Sequence, residues 1–236
     1  MTDTPNGMDH IKDELLDAAL IHVPFDGWSE TAFRAAIADS GVDAALARSA
    51  CPRGAVDLAV AYHRRGDDEM VRRLQESDLS QMRFRDRVTL AVRYRLEAVE
   101  DKEVVRRGAT LFALPQYAAE GSALVWGTAD RIWTALGDSS DDVNWYTKRA
   151  SLSAVYAATV LYWLGDESPD YVATWEFLDR RIEGVMRFEK MKSMVRKNPL
   201  MKPFLIGPEW LGRQIRPPHA RPRWRMPGSL HPGTAD

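Results

Sequence analysis

A lone cysteine, Cys51, and five histidines, His10, His22, His63, His219 and His231, are the side chains best suited to act as nucleophile, base or metal ligand. A cysteine nucleophile needs a base within hydrogen-bond reach. Cys51 and His63 are twelve residues apart across Pro52, a spacing that gives such a contact no support. The histidines are scattered, and none forms the E-x-x-H pair with which helical bundles hold paired iron. The sequence also lacks G-x-G-x-x-G, a P-loop lysine motif, G-x-S-x-G and H-E-x-x-H. These absences argue for a non-catalytic protein with no cofactor and no metal.

Two other features point to binding. Trp126, Trp133, Trp145, Trp163 and Trp175 crowd into one stretch with Tyr146, Tyr156, Tyr162 and Tyr171. Aromatics at helical spacing usually fill a core, yet large apolar pockets are lined the same way, and periodicity leaves both readings open. The segment SSDDVNWYTKR, residues 139–149, then gathers acids, an amide, two aromatics and two bases at a helix start. An N-cap followed by a solvated turn accounts for it. Trp145 and Tyr146, however, stand about 100° apart on a helix, so both can hardly enter one core while Lys148 and Arg149 stay in water. An exposed aromatic flanked by charge is the composition of an interface hot spot.

The elements that must position these residues are helices. The chain has 236 residues, 45% hydrophobic and 28% charged, enough to build a real core. Ile11, Leu15, Leu16, Ala19, Leu20 and Val23 recur at helical spacing until Pro24 and Gly27 end the run. Ser29 is an N-cap before TAFRAAIAD, Ser40-Gly41 a stop, and VDAALARSA a short third helix ending at Cys51-Pro52. Helices follow over Arg53 to about Leu74, Met82 to about Val99 and Glu103 to Leu114, with Pro115 opening the next at its first position. That next helix closes at Gly137, residues 143 to 164 form a largely buried one, and Pro169 opens a last long one that Pro199 interrupts. The reading is all-α. It divides the chain into a helix-turn-helix-like unit (1–52), a helical body (53–190), a basic amphipathic segment (191–216) and a disordered tail (217–236).

Net charge is -2, but it is unevenly placed. Residues 1–60 carry ten acids and four bases, a balance of -6, whereas residues 191–236 carry nine bases and two acids, a balance of +7. The single cysteine fits a reducing compartment, with the cytoplasm as default. The N-terminus lacks the basic and apolar regions of a signal peptide, and no window is long and apolar enough to span a bilayer, so membrane contact is expected to be peripheral.

The first three helices resemble the helix-turn-helix of TetR-type regulators, which continue into a helical ligand-binding body. A ligand-responsive DNA-binding regulator is therefore the rival reading. Asp43, Ala44 and Ala45 occupy the start of the would-be recognition helix, and the acidic balance repels phosphate, so the expectation is no nucleic acid. HVPFDGWSE, RGAVDLAVAYHRRGD, RDRVTLAVRYRLE, LFALPQ, TADRIW, GDSSDDVNWYTKRASLSAVYAATVLYWLGD and TWEFLDRRIEGVMRFEK together resemble the ubiquinone (coenzyme Q) biosynthesis accessory proteins, the coenzyme Q protein nine family. The resemblance covers about residues 10–190, and the NWYTKR helix is its most specific part.

The resemblance implies a TetR-like homodimer that binds isoprenoid quinone or phospholipid and presents a quinone intermediate to the demethoxyubiquinone hydroxylase. It implies that Asp142, Asn144, Trp145 and Tyr146 form the partner-binding patch. It also implies peripheral docking on the inner membrane through a C-terminal amphipathic segment, with Phe204, Leu205, Ile206 and Trp210 entering the interface. The lipid-binding wall is expected to comprise Leu111, Leu114, Trp126, Ile132, Trp133, Leu152, Val155, Tyr156 and Trp163.

Overall fold

The structure is a computed structural model that describes residues 7–138 and 143–197, and their side chains except those at 143, 186 and 188–197. Among the described residues the chain forms nine α-helices and one 3-10 turn, with no strand. The helices are α1 (Gly7–Asp26), α2 (Glu30–Ser40), α3 (Ala44–Ala50), α4 (Ala55–Glu76), α5 (Phe84–Glu97), α6 (Lys102–Phe112), α7 (Ala118–Ala135), α8 (Val143–Leu164) and α9 (Val172–Lys197), the last preceded by the 3-10 turn Pro169–Tyr171.

Local chemistry sets the boundaries. Ser29 Oγ accepts from the Ala32 amide at 3.2 Å to start α2, and Gly41, at φ 70°, ends it in a left-handed conformation that a side chain would disfavour. Asp43 caps α3, accepting from the amides of Ala45 and Leu46 at 2.9 and 3.1 Å. Three boundaries differ from expectation, one of them at Pro169, which opens the 3-10 turn and not α9. Pro24 lies inside the last turn of α1, where its carbonyl oxygen accepts from Arg107 Nε and Nη2 at 3.1 and 2.9 Å. Pro115 does not open α7, which begins three residues later behind Tyr117; the proline sits in the connecting turn.

Two apolar cores share one scaffold. The first joins Leu15, Leu16, Ala19 and Val23 of α1 to Phe33 of α2, Ala47 of α3 and Leu58 of α4. The second joins Met70 and Leu74 of α4 to Val92 of α5, Ile132 of α7, Leu152 and Tyr156 of α8, and Leu178 and Ile182 of α9. Helix α4, about 33 Å long at 1.5 Å per residue, runs through both. Helix α6 lies against the first core through Val104, whose carbonyl accepts from Trp28 Nε1 at 3.3 Å. No helix among the described residues is long and apolar enough to cross a membrane.

The start of α6 also holds the end of α8. Lys102 Nζ donates to the carbonyls of Trp163 and Asp166 at 2.8 and 2.9 Å and sits 4.0 Å from the centre of the Tyr171 ring. Arg106 Nη2 donates to the carbonyl of Leu164 at 2.8 Å. Cations at a helix C-terminus satisfy carbonyls that have no partner inside the helix. Replacing Lys102 with Met is expected to lower stability by about 1–2 kcal/mol, read as a reduced urea midpoint at unchanged m-value; an unchanged midpoint would show that water serves these carbonyls equally well.

Candidate functional site

A partly open cavity of about 670 Å³ lies between the two cores, lined by α4, α5, α6, α7 and α8. It exists because the helices facing it carry small side chains at helical spacing. On α7 these are Ala118, Gly121 and Ser122, followed by Val125; on α8 they are Ala150, Ser153, Ala154 and Ala157. Both sets follow the i, i+3, i+4, i+7 pattern that lines one helix face. Gly121 also permits close helix approach, since a Cβ there would lie 2.7 Å from Phe112 Cβ. Trp28, Phe112 and Trp126 supply aromatic walls.

Where α4, α5 and α7 meet, this wall is polar. Arg95 Nε donates to Asp67 Oδ1 at 2.7 Å, and both residues are at least 96% buried. Arg95 Nη2 reaches the carbonyl of His63 at 3.0 Å. Thr128 Oγ1 donates to Asp67 Oδ1 at 2.9 Å and lies 2.9 Å from His63 Nε2. Because the one hydroxyl proton of Thr128 goes to the carboxylate, His63 must donate to it as the neutral Nε2–H tautomer. Burial and the adjacent Arg95 charge push the imidazole down to about 4, consistent with that neutral form. Burial likewise pushes the Tyr62 phenol up to about 12 and raises that of Tyr156. The polar wall thus offers hydrogen bonds and one internally balanced ion pair. Ser153 Oγ, also in the lining, is buried with no hydrogen-bond partner among the described residues.

A smaller pocket of about 490 Å³ lies on the other side of α8, against α5, α7 and α9. Trp133, Leu152 and Val155 line it with Phe84 and Ile182, and Asn144 and Lys148 are part of its wall. Adjacent residues of α8 therefore face different cavities, Val155 the smaller and Tyr156 the larger.

The structure divides the residues that sequence reasoning grouped as one lipid-binding wall. Trp126 and Tyr156 line the larger cavity, and Trp133, Leu152 and Val155 the smaller. Leu111, Leu114, Ile132 and Trp163 line neither: Ile132 and Trp163 are core, Leu111 packs on the first core, and Leu114 is exposed. The small α8 residues carried the sequence signal for the cavity, but selection by aromatic and aliphatic bulk passes over residues whose contribution is the space they leave.

The α7–α8 corner also differs from expectation. Trp145 is only 7% exposed, packed 6.1 Å from Trp126 and edge-on to Tyr146 at 4.7 Å, with the Arg149 guanidinium 4.0 Å above its ring. Arg149 does not stay in water; it is 2% exposed and bonded to Asp130 and Asp138. Lys148 Nζ donates to Asp138 at 2.6 Å. Tyr146 and Asn144 are half-buried. Asp142, Phe204, Leu205, Ile206 and Trp210 lie outside the described residues. Cys51 is fully buried in the first core, where burial pushes its thiol up to about 11, away from thiolate chemistry.

A three-helix N-terminal unit leading into a helical body around a large apolar cavity defines the class of protein: all-α, with a TetR-like fold. A TetR transcriptional regulator from Nitrosomonas europaea superposes with a TM-score of 0.62 at 19% identity, over 74% of this chain and 97% of that one. Sequence likeness is more specific. Residues 118–189, spanning α7, α8 and most of α9, match the COQ9 family, and the chain is similar to COQ9 ubiquinone biosynthesis proteins. It is 34% identical to the mitochondrial protein of Drosophila melanogaster over 79% of this chain and 58% of that one. The human protein is 29% identical over 75% of this chain and 58% of its own length. The chain thus spans under two thirds of the length of these relatives.

The buried imidazole gives this site a pH signature. In the unfolded chain His63 takes up its proton near 6.5, in the fold only near 4. Between those values the unfolded state binds more protons, so this contribution is fully present above about 6.5 and is lost as pH falls toward 4. The loss is about 3 kcal/mol by pH 4. Thermal unfolding across that range should show the wild type losing more stability than His63→Gln; parallel curves would place His63 in a solvated environment.

Proposed function

We propose that this chain is a non-catalytic, lipid-binding accessory protein of ubiquinone biosynthesis. The larger cavity holds an isoprenoid quinone intermediate or a phospholipid. The α7–α8 corner presents the quinone to the demethoxyubiquinone hydroxylase, where the chemistry takes place. The observation that carries this reading is the 670 Å³ apolar cavity, whose small-residue walls on α7 and α8 fall inside the segment matched by the COQ9 family. The volume lies within the range of about 300–1,000 Å³ common to small-molecule sites. The relatives' names supply the pathway, ubiquinone biosynthesis.

The exposed Leu161, Tyr162, Tyr171 and Val172, on α8, at the 3-10 turn and on α9, support a homodimer through these late helices. Phe204, Leu205, Ile206 and Trp210 remain the proposed membrane contacts, at the inner face of the membrane. The DNA-binding alternative is not favoured: Asp43 is spent as the cap of α3, and the helix then opens with Ala44 and Ala45.

Native mass spectrometry of the freshly purified chain, followed by organic extraction, tests the cargo. The expected result is a dimer carrying isoprenoid or phospholipid, with occupancy falling at least about tenfold in Ala154→Phe, which fills the larger cavity. Lipid-free protein that shifts DNA would overturn the reading in favour of a regulator. At the corner, Tyr146→Ala is the cleaner probe because Trp145 is buried. It should weaken hydroxylase binding by ~2 kcal/mol while the protein stays folded; normal binding would remove Tyr146 from the interface.

A further inference from the structure

We propose that the closed side of the larger cavity is a subsite for an uncharged, oxygen-bearing ring recognised by Tyr62, and that a phospholipid shares only the apolar part of the cavity, leaving its phosphate at the open side. The inference rests on the lipid-binding reading above and divides its two cargoes. The lining has a direction. Ala113, Ala118 and Ser122, around the start of α7, and Ala150, Ala154 and Leu161 of α8 are exposed, whereas no lining residue of α4 or α5 is. The cavity is therefore open along α7 and α8 and closed at the polar wall of α4 and α5. Helix α4 turns Ala59, Tyr62 and His63 toward it, at the i, i+3, i+4 spacing of one helix face.

Charge at the closed side is balanced. Arg95 is the one charged side chain among the described residues of the lining; Asp67 binds it at 2.7 Å, and the His63 carbonyl takes a second guanidinium nitrogen at 3.0 Å. His63 is neutral, as its bond to Thr128 requires. A phosphate there would give up its hydration, meet no free cation in the lining and face the Asp67 carboxylate. An uncharged oxygen meets a different wall. Trp28 Nε1 and Ser122 Oγ are already engaged, by the carbonyls of Val104 and Ala118, but the Tyr62 hydroxyl bonds to no described residue. Half-buried in the lining and 5.8 Å from the Trp28 ring, Tyr62 can donate to a ring carbonyl or accept from a ring hydroxyl. The hydrocarbon chain of such a ligand runs from there along the small residues of α7 and α8 to the open side.

The test compares two probes on the delipidated full chain, decylubiquinone and dioctanoylphosphatidylglycerol, by calorimetry and by the ring resonances of 13C-labelled tyrosine. Both should bind, and Ala154→Phe, on their shared path, should weaken each at least about tenfold. Tyr62→Phe keeps the ring and removes the hydroxyl; it should weaken decylubiquinone about fivefold and the phospholipid less than about twofold. The Tyr62 resonance, assigned by its absence in that variant, should move with decylubiquinone and stay in place with the phospholipid. Equal effects of Tyr62→Phe on the two probes, or a Tyr62 resonance that both or neither of them moves, would overturn the subsite and leave the cargo reading standing. Binding of neither probe would overturn both. Should Tyr62→Phe fail to fold, the imidazole resonances of His63, assigned with His63→Gln, decide in the same way.

Discussion

The ion pair between Asp67 and Arg95 joins α4 to α5 at the place where the two cores and the larger cavity meet. Each charge alone, so deeply buried, would cost several kcal/mol in lost hydration. Together they are tolerated because the remaining bonding capacity is used: the His63 carbonyl takes a second guanidinium nitrogen, and Thr128 of α7 donates to the carboxylate. Geometry is then demanding. A Cβ at residue 66 would stand 2.5 Å from Arg95 Nη1, so the backbone of α4 can approach the guanidinium only because that position is Gly66. The cost of a glycine inside a helix, about 1 kcal/mol relative to alanine, is accepted here to seat the pair. Three helices are thereby fixed in register around one polar knot, and His63 beside it is kept neutral.

Much of the fold was legible because helix ends are written in short-range chemistry. Ser29, Gly41 and Gly137 act where they stand in the sequence, and the helix expected over residues 143–164 has those bounds, although Ala150, Ala154, Leu161 and Tyr162 on it are exposed. Pro115 misled because proline suits both a first helical turn and an ordinary turn, and only the packing of α6 against α7 decides between them. The cavity was harder to see. Periodicity shows that a face is apolar, but whether that face meets another side chain or empty space depends on residues distant in sequence, such as Ala59 and Gly108 opposite Ala154 and Ala157. The charge cluster at the α7–α8 corner was hidden for the same reason. Arg149 reads as a solvated surface residue until Asp130 of α7 and Asp138, just past the end of that helix, are brought to it.

Helix α8 explains how a wall of alanines and serines keeps its shape. Closely packed interiors resist voids, and small residues on facing helices would ordinarily draw those helices together. Here α8 is held at both ends by charged contacts: Arg149 to Asp130 and Asp138 near its start, and Lys102 and Arg106 to its last carbonyls. The elements that hold it, α7 and α6, are themselves walls of the cavity. Collapse of the middle of α8 onto them would require tilting it about these anchors, breaking buried contacts at one end or the other. A gap is thus maintained by the geometry of its rim, and the interior side chains are left free to be small.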